Sequence, residues 1–228
     1  MSSLDRDGNV FVLNLGDDEN RYNPDSVSAL NAHLDEVEAA SSPRALVVVG
    51  SGKIWSNGLD LEWMGGNVES VPAFINEVHE LLARALEFPV PTIAALNGHT
   101  FAAGAMLAIA FDERIMREDR GYYCLPEVDI RIPFTPGMDA LMKARLKPQV
   151  AHEAMTTGKR YTAAEAVEAE IVQAAVAEDQ VLPAAIERAG TLTEKDGTTL
   201  GIIKQRLYAP ALATLRDREA NKLPGLGD

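Results

Sequence analysis

The chain has 228 residues, 46% of them hydrophobic, a formal charge of −13 and an isoelectric point near 4.7. That length can bury one substantial core, and the acidic field excludes nucleic acid and anionic membranes as main partners because both would repel it. A single cysteine, Cys124, excludes an intrachain disulfide or a zinc finger, and no apolar run reaches the roughly 18 residues of a membrane span. The start MSSLDRDGNV does not read as a secretory leader, and the terminal Gly225-Leu226-Gly227-Asp228 matches no targeting tripeptide. A cytoplasmic setting is the expectation.

In chain order, NVFVLNL at 9–15 predicts a strand, and the acidic, Asn-rich DDENRYNP is a loop ending at Pro24. A helix comes next, with Val27, Leu30, Leu34 and Val37 at helical spacing and Asp25 or Ser26 able to cap it. ALVVVGSG at 45–52 is an unbroken apolar run closed by glycines, the pattern of a strand buried on both faces. The same grammar repeats: VESVPAFINEVHELLARALEF is a helix, PTIAALNG a buried strand, AAGAMLAIAF a short helix of small residues. DERIMRED and GYYCL predict two further strands, and the rest reads as helical: MDALMKARL, PQVAHEAMTT, TAAEAVEAE, then two longer helices through 180–220. Alternating strands and helices give an α/β class, with residues 1–195 as the core and 196–228 as a short helical C-terminal region.

Three stretches carry the chemistry: KIWSNGLDLEWM, NGHTFAAGAML and CLPEVDI. Each of the first two comes after a buried strand and places glycine where a helix begins, so that unpaired backbone N–H groups can point into one cleft. By itself this pattern is equally a steric use of glycine in strand-to-helix turns. In the third, Glu127 stands among Tyr, Cys, Leu, Val and Ile, where an ionised carboxylate is penalised unless its charge or proton is used.

Taken together, RYN, ALVVVGSGKIWSNGLDL, PTIAALNGHTFAAGAMLAIAFDERI, YYCLPEVDIRIP and TTGKRYTAAEAVEAEIVQ resemble, in order and spacing, the crotonase or enoyl-CoA hydratase/isomerase superfamily. The resemblance implies a crotonase-like spiral of ββα units with a helical C-terminal trimerisation region, a homotrimer or dimer of trimers, and an acyl-CoA thioester as substrate. It implies no separate cofactor, since coenzyme A is part of the substrate, and no metal. His33, His79, His99 and His152 show no ligand spacing and read as structural.

Carried onto this chain, the resemblance makes the backbone N–H groups of Leu59 and Ala103 an oxyanion hole and Glu127 the catalytic base. Hydratases of the family use a second glutamate, whose position here is Met106, a pocket-wall residue that cannot act as a base. The single-glutamate pattern is similar to the Δ3,Δ2-enoyl-CoA isomerase branch. Lys53, with Arg21 and Lys204 behind it, is the candidate cation for coenzyme A, and the backbone around Trp55 and Asn57 would form the adenine pocket. Arg131 succeeds EVDI where relatives commonly have Gly; its guanidinium would pair with Glu127 or bind a polar acyl tail. The competing readings are hydratase-like chemistry, hydrolysis or decarboxylation of a CoA thioester, and a non-catalytic acyl-CoA binder.

Overall fold

The computed structural model describes residues 2–222; Met1 and residues 223–228, with the terminal tetrapeptide and the end of the C-terminal region, lie outside the described residues. Two sheets organise the chain. The larger is built from β1 (Ser3–Asp7), β2 (Val10–Asn14), β3 (Ala45–Val49), β5 (Thr92–Leu96), β7 (Glu113–Arg117) and β9 (Ala174–Val176), in that spatial order. The smaller runs β4 (Ile54–Ser56), β6 (His99–Phe101), β8 (Tyr123–Cys124). Among the described residues, the strand pairings within these two sheets are parallel except that of β1 with β2.

Each turn of the chain therefore lays one strand in the large sheet and one in the small sheet before a helix. β3 and β4 lead to α2 (Leu61–Gly66) and α3 (Val71–Glu87), β5 and β6 to α4 (Ala103–Ala110), and β7 and β8 to α5 (Glu127–Ile130). This is the ββα spiral that the sequence resemblance implies.

The unbroken apolar strands are explained by having no wet face. Leu46 and Val48 of β3 point toward α3 and α4, whereas Ala45, Val47 and Val49 join Ile93, Ala95 and Ile115 under Val181, Ala185 and Ala189 of α9 (Val181–Gly190). Period-two alternation thus selects which core a residue enters, not whether it is buried. By contrast β1 is mostly exposed and polar, an antiparallel edge strand whose sequence carries no such signal. α1 (Pro24–Ala39) starts at Asn23, whose side chain accepts from Ser26 N while Ser26 Oγ accepts from Asn23 N, a reciprocal cap.

α4 is buried on every side, which its run of Ala, Gly, Met, Leu and Ile permits. Its C-terminal carbonyls are taken by two guanidinium groups: Arg114 donates to Ala108 O (3.3 Å) and Phe111 O (2.8 Å), and Arg145 to Ile109 O and Phe111 O (2.8 Å each). Cations at that end favour the helix dipole and satisfy carbonyls that have no partner within the helix.

After α6 (Pro136–Arg145), α7 (Pro148–Thr157), α8 (Ala163–Glu168) and α9, the chain returns through α10 (Gly197–Leu207) and α11 (Ala209–Leu215). Three helices, not two, thus occupy residues 181–215. α11 buries Ala211, Leu212 and Leu215, and packs against α6 and α3. Asn221 accepts from Gly137 N at 2.7 Å and ties the end of the described chain to the start of α6. Lys204 is buried, donating to Phe88 O (2.9 Å) and to Asp112 Oδ2 (2.8 Å); it is thereby spent on holding α10 to the core and is not a cation for a ligand.

Replacing Lys204 with Met should strand a buried carbonyl and loosen a buried ion pair, lowering unfolding stability by about 2–4 kcal/mol. Urea denaturation checks this, with exposed Arg206→Met as the control, expected within about 0.5 kcal/mol of the parent.

Candidate active site

β4 ends in Ser56, whose Oγ donates to Asn20 O (2.8 Å) and accepts from Gly58 N (3.1 Å). Gly58 has φ +79°, and a Cβ there would stand 2.8 Å from Ala103 N. Glycine is required twice over, by the left-handed backbone and by the close approach of the two turns. Tyr22 then brackets the next residue: Tyr22 N donates to Gly58 O (2.7 Å) and Asp60 N to Tyr22 O (2.8 Å), so Leu59 is fixed between two bonds that do not use its own N–H. Asp60 caps α2 by accepting from Trp63 N at 3.0 Å.

The second turn runs from β6 into α4. Ala102 sits at φ 51°, ψ −128°, a region hostile to side chains, held there by its N–H on Cys124 O (3.1 Å) and by Met106 N on its own carbonyl (3.0 Å). Such a conformation costs on the order of 1–3 kcal/mol and persists where the surroundings over-determine it. It turns Ala103, the first residue of α4, so that its N–H precedes the helical hydrogen bonds. Neither Leu59 N nor Ala103 N has a hydrogen-bond acceptor among the described residues.

Both residues line an apolar cavity of about 60 Å3 that also contains Glu127. Pro126 delivers Glu127 from β8 to the first position of α5, where it is only 6% exposed. Its Oε2 has no hydrogen-bond partner, and burial pushes its carboxyl up to about 7. Met64, Ile75, Met106 and Met138 form the inner wall, one from each of four helices. Glu127 is the one carboxylate that lines this cavity among the described residues. A larger, open cavity of about 600 Å3 lies between residues 18–23, α1 and Asp60, but the free N–H groups and the raised carboxyl converge on the small one.

The enoyl-CoA hydratase/isomerase family model matches residues 5–222. The chain is a member of that family. Enoyl-CoA delta isomerase 3 of Arabidopsis thaliana is 34% identical across 98% of this chain and 98% of its own length. The peroxisomal enoyl-CoA delta isomerase 2 of the same plant is also 34% identical, across 91% and 92%. Among solved structures, the apo enoyl-CoA isomerase of Mycobacterium tuberculosis superposes with a TM-score of 0.88 at 26% identity, covering 95% of each chain.

Within this family member, the structure brings Leu59, Ala103, Met106 and Glu127 to one cavity. Asn57 lines it as well, with its backbone N–H committed to Glu19 O (3.0 Å). Trp55 is a core residue: its indole donates to Val48 O (3.3 Å), and its carbonyl accepts from Asn20 Nδ2 (3.1 Å). Lys53 is exposed. Arg21 pairs with Glu19 at 2.5 Å.

Arg131 does not pair with Glu127. It is exposed, ends α5 in the left-handed conformation at φ 59°, ψ 33°, and borders an open groove beside the cavity, not the cavity itself. Glycine adopts that conformation at least cost, so Arg131 stands at a position whose backbone favours glycine. Glu62 is exposed and stands outside the cavity, so it supplies no second carboxylate there.

The cysteine, His79 and His99 have structural surroundings. Cys124 Sγ donates to Gly158 O at 3.2 Å, and burial pushes its thiol up to about 11, which keeps it unreactive. His79 is buried against Thr135 Oγ1 at 2.8 Å and depressed to about 4, hence neutral. His99 makes tilted ring contacts with Phe101 and Tyr122, at centroid distances of 5.2 and 5.6 Å. Sequence reasoning missed the inner wall of Met64, Ile75 and Met138, whose only signal is a methionine or isoleucine on the apolar face of a helix.

A carboxyl raised from 4.5 to about 7 in the folded state favours folding while it is protonated and loses that contribution as pH rises from the unfolded value through about 7. Glu127→Gln should therefore stabilise the protein by up to about 3 kcal/mol at pH 8 and by little at pH 4. Chemical denaturation of parent and variant at the two pH values checks the sign.

Proposed function

We propose that this chain is a Δ3,Δ2-enoyl-CoA isomerase. The observation that carries the reading is a lone buried carboxyl, Glu127, sharing an apolar cavity with two unengaged backbone N–H groups and with Met106 in place of a second acid. The delta isomerase names of the two plant relatives support it.

In this mechanism Leu59 N–H and Ala103 N–H donate to the thioester carbonyl oxygen, Ala103 with the positive end of α4 behind it. Glu127 takes a proton from C2; the C–H electrons form a C1–C2 double bond and the carbonyl π pair moves to oxygen, which the two N–H groups hold. The enolate then collapses: the carbonyl re-forms, C2 and C3 become doubly bonded, and the former C3–C4 π pair takes the proton from Glu127 at C4. One base serves both ends because the proton returns to the molecule it left. Burial makes the carboxylate a stronger base than one in water, and each backbone donor is worth about 10²- to 10³-fold in rate by analogy with other oxyanion holes. Lys53 is the proposed contact for the anionic end of coenzyme A, with the backbone near Trp55 and Asn57 beside it.

Two measurements test the reading. Turnover of 3-hexenoyl-CoA should fall by about 10³-fold or more in Glu127→Gln, with thioester affinity within a few-fold of the parent; near-full activity in the variant removes Glu127 from the mechanism. In the parent, kcat/KM should rise with pH and reach half its plateau near 7, because only the deprotonated carboxylate accepts.

Met106→Glu adds a second acid to the wall, so that a water can be held between two carboxyls. The variant should hydrate 2-enoyl-CoA weakly and the parent essentially not at all; efficient hydration by the parent would replace the isomerase reading with a hydratase.

A further inference from the structure

The strand that leads into the Leu59 turn is not regular. In β4, Ile54 and Ser56 pair with His99 and Thr100, consecutive residues of β6, so Trp55 is an extra residue on the β4 side. Such a bulge interrupts the ladder and redirects the chain beyond it. Two successive carbonyls of this bulge are taken by one side chain from outside the small sheet: Asn20 Nδ2 donates to Ile54 O and Trp55 O, both at 3.1 Å, with Gly16 O at 3.3 Å. Asn20 is buried and sits at φ 48°, a conformation that asparagine tolerates better than most residues. Its own N–H donates to Asp18 Oδ1 at 2.6 Å.

Ser56 fastens the bulge a second time. Its hydroxyl donates to Asn20 O and accepts from Gly58 N, so one oxygen joins Asn20 to the glycine that precedes Leu59. On its other side lies the start of α4, where a Cβ on Gly104 would stand 2.7 Å from both Cβ and Oγ of Ser56. Ser56 is thus packed between the turn that carries Leu59 N–H and the helix whose first residue, Ala103, carries the other N–H. Alanine would fit this site but could make neither bond, and a larger side chain would meet Gly104.

We propose that Asn20 and Ser56 are positioning residues for the two backbone donors: the Asn20 amide fixes the bulge from which the Leu59 turn departs, and Ser56 sets the spacing between Leu59 N–H and Ala103 N–H. Neither side chain lines the cavity, so both act through the main chain. The inference rests on the isomerase reading, in which these N–H groups hold the thioester oxygen. Donors aimed at a developing oxyanion work through their placement, and an error of about 1 Å costs on the order of 100-fold in rate. A residue that served the fold alone would change stability and leave the aim of the folded protein as it was.

The test compares the parent with Asn20→Gly, Ser56→Ala and, as a control for stability alone, Lys204→Met on α10. Asn20→Gly keeps the positive-φ backbone and the carbonyl that Ser56 uses but removes the amide, and Ser56→Ala removes both hydroxyl bonds without adding bulk. With 3-hexenoyl-CoA, kcat should fall by about 10- to 100-fold in each of these two variants while KM stays within about 3-fold of the parent. Infrared difference spectra of bound 2-hexenoyl-CoA, isotopically labelled at C1, should place the parent's carbonyl stretch below its value in water, and each of the two should lose about half of that shift or more. Lys204→Met should unfold at lower urea yet keep the carbonyl shift, and keep kcat within about 2-fold.

Parent-like kcat and carbonyl shift in both Asn20→Gly and Ser56→Ala would overturn the proposal, and so would an equal loss of kcat and shift in Lys204→Met. Should Ser56→Ala fail to fold, Asn20→Gly decides alone. A parent that shows no carbonyl shift rejects the pair of donors and the positioning role with it. A parent that shifts the carbonyl but does not turn over 3-hexenoyl-CoA rejects the isomerase reading instead, and the spectra of the variants then decide the positioning role.

Discussion

A buried carboxyl with one oxygen left without a partner among apolar side chains is the constraint around which this structure is arranged. Glu127 Oε2 meets no donor, and its proton affinity is raised because water is kept away. That exclusion requires walls from several directions. Met64 comes from α2, Ile75 from α3, Met106 from α4 and Met138 from α6, so helices distant in sequence must all be in place before the acid is desolvated. The raised proton affinity is thus a tertiary property, and it works against folding at neutral pH, as functional sites often do.

The second half of the site is backbone. Leu59 and Ala103 contribute N–H groups whose availability depends on neighbours and not on their own side chains. Gly58 and Ala102 occupy positive-φ conformations that present those groups, and Tyr22 fastens the first turn without consuming Leu59 N–H. α4 cannot slide to relax Ala102, because it is enclosed on all sides and Arg114 and Arg145 grip its far end. The spiral explains how these pieces converge. The small parallel sheet of β4, β6 and β8 ends in the Gly58 turn, the Ala102 turn and the Pro126–Glu127 step in successive coils.

Much of this is visible in the sequence where one physical pattern dominates. ALVVV and TIAAL announce strands buried on both faces, and AAGAMLAIAF a buried helix, because burial removes every polar residue from the run. The three motifs mark Leu59, Ala103 and Glu127 through their resemblance to a family. Without that resemblance, glycine turns and a lone glutamate are ambiguous. What is not legible depends on distant partners. β1, with sequence SLDRD, is a strand only because β2 offers an edge. The four-residue α5 is too short for any periodicity. Lys204 reads as a ligand cation, yet Phe88 and Asp112, more than ninety positions away, claim it. Arg131 reads as a partner for Glu127, but its left-handed conformation at the end of α5 leaves it exposed beside the groove. Charge alone does not reveal backbone conformation.

The central claim is that one water-shielded carboxylate moves a proton between two carbons of the same substrate. It is tested most directly by giving the protein 3-enoyl-CoA deuterated at C2, in ordinary water, and locating the label in the 2-enoyl product at low conversion. If Glu127 alone shuttles the proton within an enclosed pocket, a measurable share of the deuterium appears at C4. Product with solvent hydrogen only at C4, together with 3-hydroxyacyl-CoA, would show that water and a second acid take part, and would contradict the account.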